Sequence, residues 1–280
     1  MRLSKLKSHI VSVTGLLQKV SGYTWMAIHL IILVFLALFI RREETYYNIT
    51  LEDSGTEYLT ALFALLTAGF FLSNLKRKLP FITKSIFLAG SVCMIFFAGE
   101  EISWGQRIFN YTTPGHVADA NDQHEFNLHN TSKLFFDRLP DRMTVVFVIF
   151  SSILLLRKIY SFLHVPLPHA ALLLCFIITD YYRSFDEGIV DFYLLNYIGL
   201  MPVIIYSRKE RSAKLRLMTF ITILTTVMIP LVHISFKSHF GKSKNSASEL
   251  REMTFSFCCF AYSLFIVIQY RLQPHRNDKL

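Results

Sequence analysis

The sequence predicts an all-α fold, a polytopic transmembrane helical bundle of about eight spans, and three observations predict it. Hydrophobic residues make up 52% of the chain, 26 of them Phe, against 18% charged, and the mean hydropathy is +0.40. The apolar residues gather in runs of about 20, the length a helix rising about 1.5 Å per residue needs to cross a hydrocarbon core roughly 30 Å thick. No Gly/Ser-rich linker, low-complexity tract or internal repeat divides the 280 residues, so one membrane domain is expected.

The elements follow in order. Within residues 1–22, Leu3, Leu6, Ile10, Val13, Leu17 and Val20 recur at gaps of three and four, with Lys5, Lys7, Ser8, Ser12 and Lys19 between them. This is an amphipathic helix, suited either to the anionic cytoplasmic leaflet or to the protein's own inner loops. The spans are expected near 23–40, 58–75, 81–99, 143–162, 166–182, 190–206, 217–236 and 254–270, with a polar outer loop at 100–142 and a tail at 271–280. The first lies too deep in the chain, and lacks a small-residue cleavage site, for a removable signal peptide. The fifth and sixth are short and carry Asp180 and Asp191 near their ends.

Lys and Arg set the orientation. With both termini cytoplasmic, the inner segments hold 18 basic residues, among them Lys5, Lys19, Lys76–Lys78, Arg157, Arg208–Lys209, Arg211, Lys214, Arg216 and Arg271, against only Glu210 and Asp278. The net charge of +9 is therefore cytoplasmic flank, and a nucleic-acid partner is not needed to explain it. Cys93, Cys175, Cys258 and Cys259 all fall inside apolar runs and read as buried thiols, not as a disulfide or metal framework.

Chemistry-bearing residues collect on the outer side. Span three runs into FFAGEEISWGQRIFNYTTPG, placing Glu100 and Glu101 where apolar residues stop. A helix continued past Gly99 would align Glu100, Ser103, Trp104 and Arg107 on one stripe and turn Glu101 about 100° away. An interfacial anchor accounts for a belt Trp and an Arg reaching headgroups, but two adjacent carboxylates at a bilayer surface repel and resist desolvation.

The loop NDQHEFNLHN, residues 121–130, follows. His124 and His129 are five residues apart, roughly 140° around a helix, so the HExxH zinc arrangement is excluded. Glu125 and His129 can share a face. Asp180, at the C-terminal end of span five, sits where the helix dipole disfavours an anion. Asp191 lies inside an apolar run, at a cost of roughly 2.5–3.5 kcal/mol on insertion scales. His233 and His239 complete the outer set, whereas His29, in the inner half of span one, stands alone.

Gly99–Phe109, Thr113-Pro114 and the series Asn121, Gln123, Glu125, Asn127, Leu128, His129 and Asn130 resemble a motif of bacterial multi-pass membrane proteins with no assigned activity. The resemblance covers about 35 residues and implies placement in a bacterial inner membrane. Membrane hydrolases of the ceramidase and receptor-like group also set His, Asp and Ser at a membrane face, but their paired-histidine spacing is missing. The Asn-x-Ser/Thr sequons at Asn48, Asn110 and Asn130 fall in outer loops.

The leading expectation is a membrane-embedded hydrolase or transferase acting on a lipid or lipid-linked substrate at the extracytoplasmic face. Glu100 and Glu101 would be its acid/base groups, and Ser103, Trp104, Gln106, Arg107, Asn127 and Asn130 its substrate-binding groups. Glu125, His129, Asp180 and Asp191 would hold a divalent cation, Zn²⁺ or Mn²⁺ by their mixed ligands. A scaffold for an envelope complex and a proton-coupled transporter are the alternatives. The transporter ranks lower because it calls for midplane charges and an inverted repeat.

Overall fold

The computed structural model describes residues 2–41, 44–45, 48, 55–119, 126–127, 146–154, 168, 170–179, 189–235 and 244–272. Among them there is no strand. The main helices are α1 (Arg2–Arg41), α2 (Gly55–Asn74), α3 (Phe81–Glu101), the short α4 (Gln106–Phe109) and α5 (Gly115–Ala118), α6 (146–154), α7 (Ala170–Thr179), α8 (Ile189–Lys209), α9 (Ala213–Ser235) and α10 (Lys244–Leu272). Four of these contain a stretch long and apolar enough to cross a membrane: Gly15–Phe35, Gly55–Asn74, Phe81–Glu101 and Glu249–Arg271.

The packing of α2 and α3 shows why these helices are suited to lipid. On α2 the buried residues are Thr56, Thr60, Ala61, Ala64, Thr67, Ala68 and Asn74, while Leu59, Leu62, Leu65, Leu66 and Leu72 are exposed. A water-soluble helix would do the reverse. In hydrocarbon, leucine gains little by leaving the solvent, and small residues inside let backbones approach closely. Thr60 and Thr67 return their hydroxyls to carbonyls one turn back, at 2.9 and 2.8 Å, so their burial leaves no polar group unmet. Ser91 of α3 donates to Phe87 O at 2.7 Å and contacts Ala68 O of α2 at 3.3 Å. At Gly90 a Cβ would stand 3.0 Å from the Phe71 ring, so glycine permits the close approach.

The other centre of packing is α7, buried at all ten residues from Ala170 to Thr179. A helix apolar all round belongs inside a protein, and described helices on several sides pack against it. Trp25, Ile28 and Ile32 of α1, Val148 of α6, Leu200 and Val203 of α8, Leu215 and Met218 of α9, and Leu250 and Met253 of α10 share its core. Helix α10 joins the two groups: Phe63 and Phe70 of α2 stack against Phe257 and Phe260 on it.

Several expectations are refined. The amphipathic stretch and first span form one unbroken helix. The last helix begins at Lys244, ten residues before the expected span at 254. Cys93 is exposed on α3, correcting the expectation of four buried thiols, and all four cysteines are free. His29 is not isolated. Its Nδ1 lies 2.8 Å from Trp25 O, its ring centroid 4.0 Å from that of Trp25, and its Nε2 3.4 Å from Thr222 Oγ1. The Trp25 indole N–H donates to the same hydroxyl at 2.9 Å.

These contacts clasp α1 to α9. Thr222→Val should lower unfolding stability by about 0.5–2 kcal/mol, the range for a buried interhelical hydrogen bond. Thr225→Val, which removes only a bond to Ile221 O of its own helix, should cost less. Denaturation of the two purified variants in detergent measures the difference.

Candidate functional site

Helix α3 stops sharply at Glu101. Ile102 N–H still reaches Ala98 O at 3.4 Å and Gly105 N–H reaches Ile102 O at 2.8 Å. Between them the backbone turns left-handed at three consecutive residues, Ser103 (φ 47°), Trp104 (φ 53°) and Gly105 (φ 81°). For Ser and Trp that conformation costs roughly 1–2 kcal/mol each. The result is that Trp104 folds back over the last helical turn. A Cβ on Gly99 would stand 2.9 Å from the Trp104 ring, and the indole N–H donates to Glu100 Oε1 at 2.7 Å. This corrects the expected continuous stripe: Glu100 and Trp104 do meet, but through a reversed turn, not along a helix.

The same turn gathers the second half of the motif. Gln106 donates through Nε2 to Thr113 Oγ1 at 2.7 Å, and its Oε1 accepts the Phe126 backbone N–H at 2.8 Å. Asn127 Nδ2 donates to Ser103 Oγ at 3.3 Å and is buried. The Tyr111 hydroxyl lies 3.3 and 3.2 Å from the carbonyls of Ser103 and Trp104. Glu100, Ser103, Trp104, Gln106 and Asn127 are thus one hydrogen-bonded assembly, linking stretches twenty residues apart.

Glu100 and Glu101 are only 4% and 6% exposed, so neither carboxyl group is a solvated surface charge. Being adjacent on α3, they point apart. Glu100 takes Trp104, and Glu101 faces α10. There an oxygen of Glu101 and one each of Glu249 and Glu252 lie within 4.8 Å of one another. Glu101 is hydrogen-bonded to Glu252, with Glu57 of α2 also in electrostatic reach. Arg251 is buried and pairs with Glu252 at 2.9 Å. Four carboxyl groups from three helices therefore gather here, one of them, Glu252, paired with the Arg251 guanidinium. Their repulsion has to be relieved by that arginine, by protons held between carboxyls or by a cation.

All four acids lie at one end of the bundle. At the other end Arg77, in the turn between α2 and α3, bonds Asn74 Oδ1 at 3.0 Å and Tyr270 O at 3.3 Å.

Glu57, Glu249, Arg251 and Glu252 were not singled out by the sequence reading. Their signal was Glu249-x-x-Glu252, one helical face just ahead of an apolar run. With that span expected at 254–270, Glu249, Arg251 and Glu252 fall in a loop on sequence grounds, whereas α10 begins at Lys244. Of the other expected residues, Glu125, His129, Asn130, Asp180 and His239 lie outside the described residues. Arg107, Asp191 and His233 lie on α4, α8 and α9, their side chains outside the described set.

The chain was compared with protein-family models, curated proteins and solved structures. None of the three comparisons gives a match. The site therefore stands on its own geometry.

Gly99→Ala should displace the Trp104 indole and destabilise the protein by about 1–3 kcal/mol, the usual cost of overpacking. The chain has two tryptophans, so in a Trp25→Phe background the remaining indole fluorescence reports Trp104 alone. A red shift of its emission in Gly99→Ala is the expected result.

Proposed function

We propose that this chain is an eight-span membrane protein with cytoplasmic termini, and a hydrolase or transferase acting on a lipid or lipid-linked substrate at the extracytoplasmic face of a bacterial inner membrane. One observation carries the reading: Glu101, buried at the end of an apolar helix, meets Glu249 and Glu252 of a distant helix within 4.8 Å. Each span expected from hydropathy overlaps described helical residues, and four of the helices are long and apolar enough to cross a membrane, which supports a multi-span reading. The basic end of the bundle becomes the cytoplasmic end by the positive-inside rule.

In this reading the acids work as a proton-handling group. A hydrogen bond between two carboxyl groups carries a proton that either can hand on, so the Glu101–Glu252 pair supplies general acid or base at the membrane surface. Arg251 holds Glu252 in place. Glu100 is a positioning residue, acting through its bond to Trp104 and thereby on the turn carrying Ser103 and Asn127, which offer hydroxyl and amide groups to a substrate. Arg107 and Asn130 retain their proposed substrate-binding roles.

Should a cation bind, Glu101, Glu249 and Glu252 offer only oxygen. Such a set fits Mn²⁺ or Mg²⁺ better than Zn²⁺ and shifts the preference drawn from the mixed set Glu125, His129, Asp180 and Asp191. Those four stay as proposed further ligands. Acids at helix ends also favour surface chemistry over a transport path, which places its charges near the midplane.

The test compares membrane lipid profiles of cells lacking the protein with cells carrying the wild type, Glu101→Gln or Glu100→Gln. Glu101→Gln should reproduce the deletion, with turnover down about 10²–10⁴-fold. Glu100→Gln, which keeps an acceptor for Trp104, should lose far less. A profile that the deletion leaves unchanged, or that Glu101→Gln fully restores, would sink the reading.

A further inference from the structure

Beneath the carboxyl groups of the acidic end stands a buried hydroxyl. Glu249 and Glu252 are three residues apart on α10, so about 60° separates them around the helix. Ser256, seven and four residues further on, falls between them in angle, about 20° from Glu249 and 40° from Glu252. The neighbours of α10 fix that direction. Phe257 and Phe260 turn to Phe63 of α2, whereas Phe255 and Tyr270 turn to Phe97 and Phe87 of α3. Ser256 lies between the two directions, toward the seam of α2 and α3 and one turn deeper in the apolar stretch Glu249–Arg271. Helical side chains tilt toward the N-terminus, which carries the Ser256 hydroxyl back toward Glu249 and Glu252.

Ser256 is fully buried, and its Oγ has no hydrogen-bond partner among the described residues. Other hydroxyls of α10 settle on their own helix. Thr254 donates to Leu250 O at 2.9 Å, and Ser263, two turns beyond Ser256 on the same face, donates to Phe260 O at 2.8 Å. A buried hydroxyl that does not return to the backbone calls for a partner from outside the chain.

The donors and the charge define that partner. Glu101, Glu249 and Glu252 each bring an oxygen within 4.8 Å of the others, and Ser256 approaches from the membrane side. When ionised, Glu57, Glu101, Glu249 and Glu252 against the single Arg251 leave three negative charges. Water would satisfy the hydroxyl and leave that charge, whereas a cation answers both. Glu252 can keep Arg251 on one carboxylate oxygen and offer the other. Ligands on opposite sides of a hard divalent ion stand about 4–5 Å apart, twice a bond of roughly 2.0–2.6 Å. Oxygens already within 4.8 Å need little movement to meet that spacing. An all-oxygen set is the one such ions take.

We propose that Glu101, Glu249, Glu252 and the Ser256 hydroxyl form a binding site for one hard divalent cation. The site rests on the reading of these carboxyl groups as the working centre, and adds to it a resident ion held from the membrane side by Ser256.

The purified full-length protein, stripped with chelator, is titrated with Mn²⁺ in detergent, and free Mn²⁺ is read by electron paramagnetic resonance. One ion per chain should bind, and Mg²⁺ or Ca²⁺ should displace it. Ser256→Ala should weaken Mn²⁺ binding about ten-fold, the low end of what loss of a group supporting a metal costs. Glu249→Gln should weaken it further; if that variant fails to fold, Ser256→Ala decides alone. Ser263→Ala, whose hydroxyl is already bonded, should bind like the wild type. A packing role for Ser256 predicts instead that its removal leaves affinity unchanged. Absence of one-to-one binding in the wild type, wild-type affinity in Ser256→Ala, or an equal loss in Ser263→Ala would each overturn the proposal. The readout is binding, so the two readings fail separately. Mn²⁺ held by a protein whose deletion leaves lipids unchanged removes only the enzymatic reading, and lipid turnover without ion binding removes only the ion.

Discussion

Carboxyl groups do not stay buried at the edge of an apolar bundle unless something answers their charge, and the architecture at this end is arranged around that demand. Each ionisable group placed inside a span costs roughly 2.5–3.5 kcal/mol on insertion scales. Here Glu57, Glu101, Glu249 and Glu252 converge from α2, α3 and α10 with one buried arginine. They can converge because α2 turns alanine and threonine inward, which lets the neighbouring helices come close. The leucines that would hold them apart face outward.

Helix α10 is the element both halves of the molecule share. Its aromatic residues stack on α2, and its Leu250, Met253 and Cys258 enter the core around α7. The same helix carries Glu249, Arg251 and Glu252 at one end and Tyr270, which accepts Arg77, at the other. A displacement of α10 would therefore change the packing of both groups and the spacing of the carboxyls together. The two ends are also chemically distinct, acids gathered at one and basic residues at the other. That division explains why the +9 balance of the chain says little about either end by itself.

Much of this was legible in the sequence. Hydropathy located the helices because apolar run length is a direct physical requirement of the bilayer. The pair Glu100-Glu101 was conspicuous because carboxylates seldom close an apolar run. Three features were not legible. Ser103 and Trp104 adopt a conformation ordinarily left to glycine, and only Gly105 announced it. Residues 244–253 are polar and read as loop, although tertiary packing on α2 and α7 extends the helix through them. His29 looked solitary because its partner, Thr222, is 193 residues away. Side-chain partners across a bundle leave no periodic trace, whereas the face of a single helix does.

The unbroken course of α1 from Arg2 to Arg41 has a mechanical consequence. Forty residues of helix make a rod about 60 Å long, roughly twice the thickness of a hydrocarbon layer. Its apolar portion, Gly15–Phe35, leaves the opening turns to project as a stiff lever. Tilt of the buried segment would thus be magnified into lateral travel at the far tip, turning small rearrangements in the bilayer into larger ones beyond it.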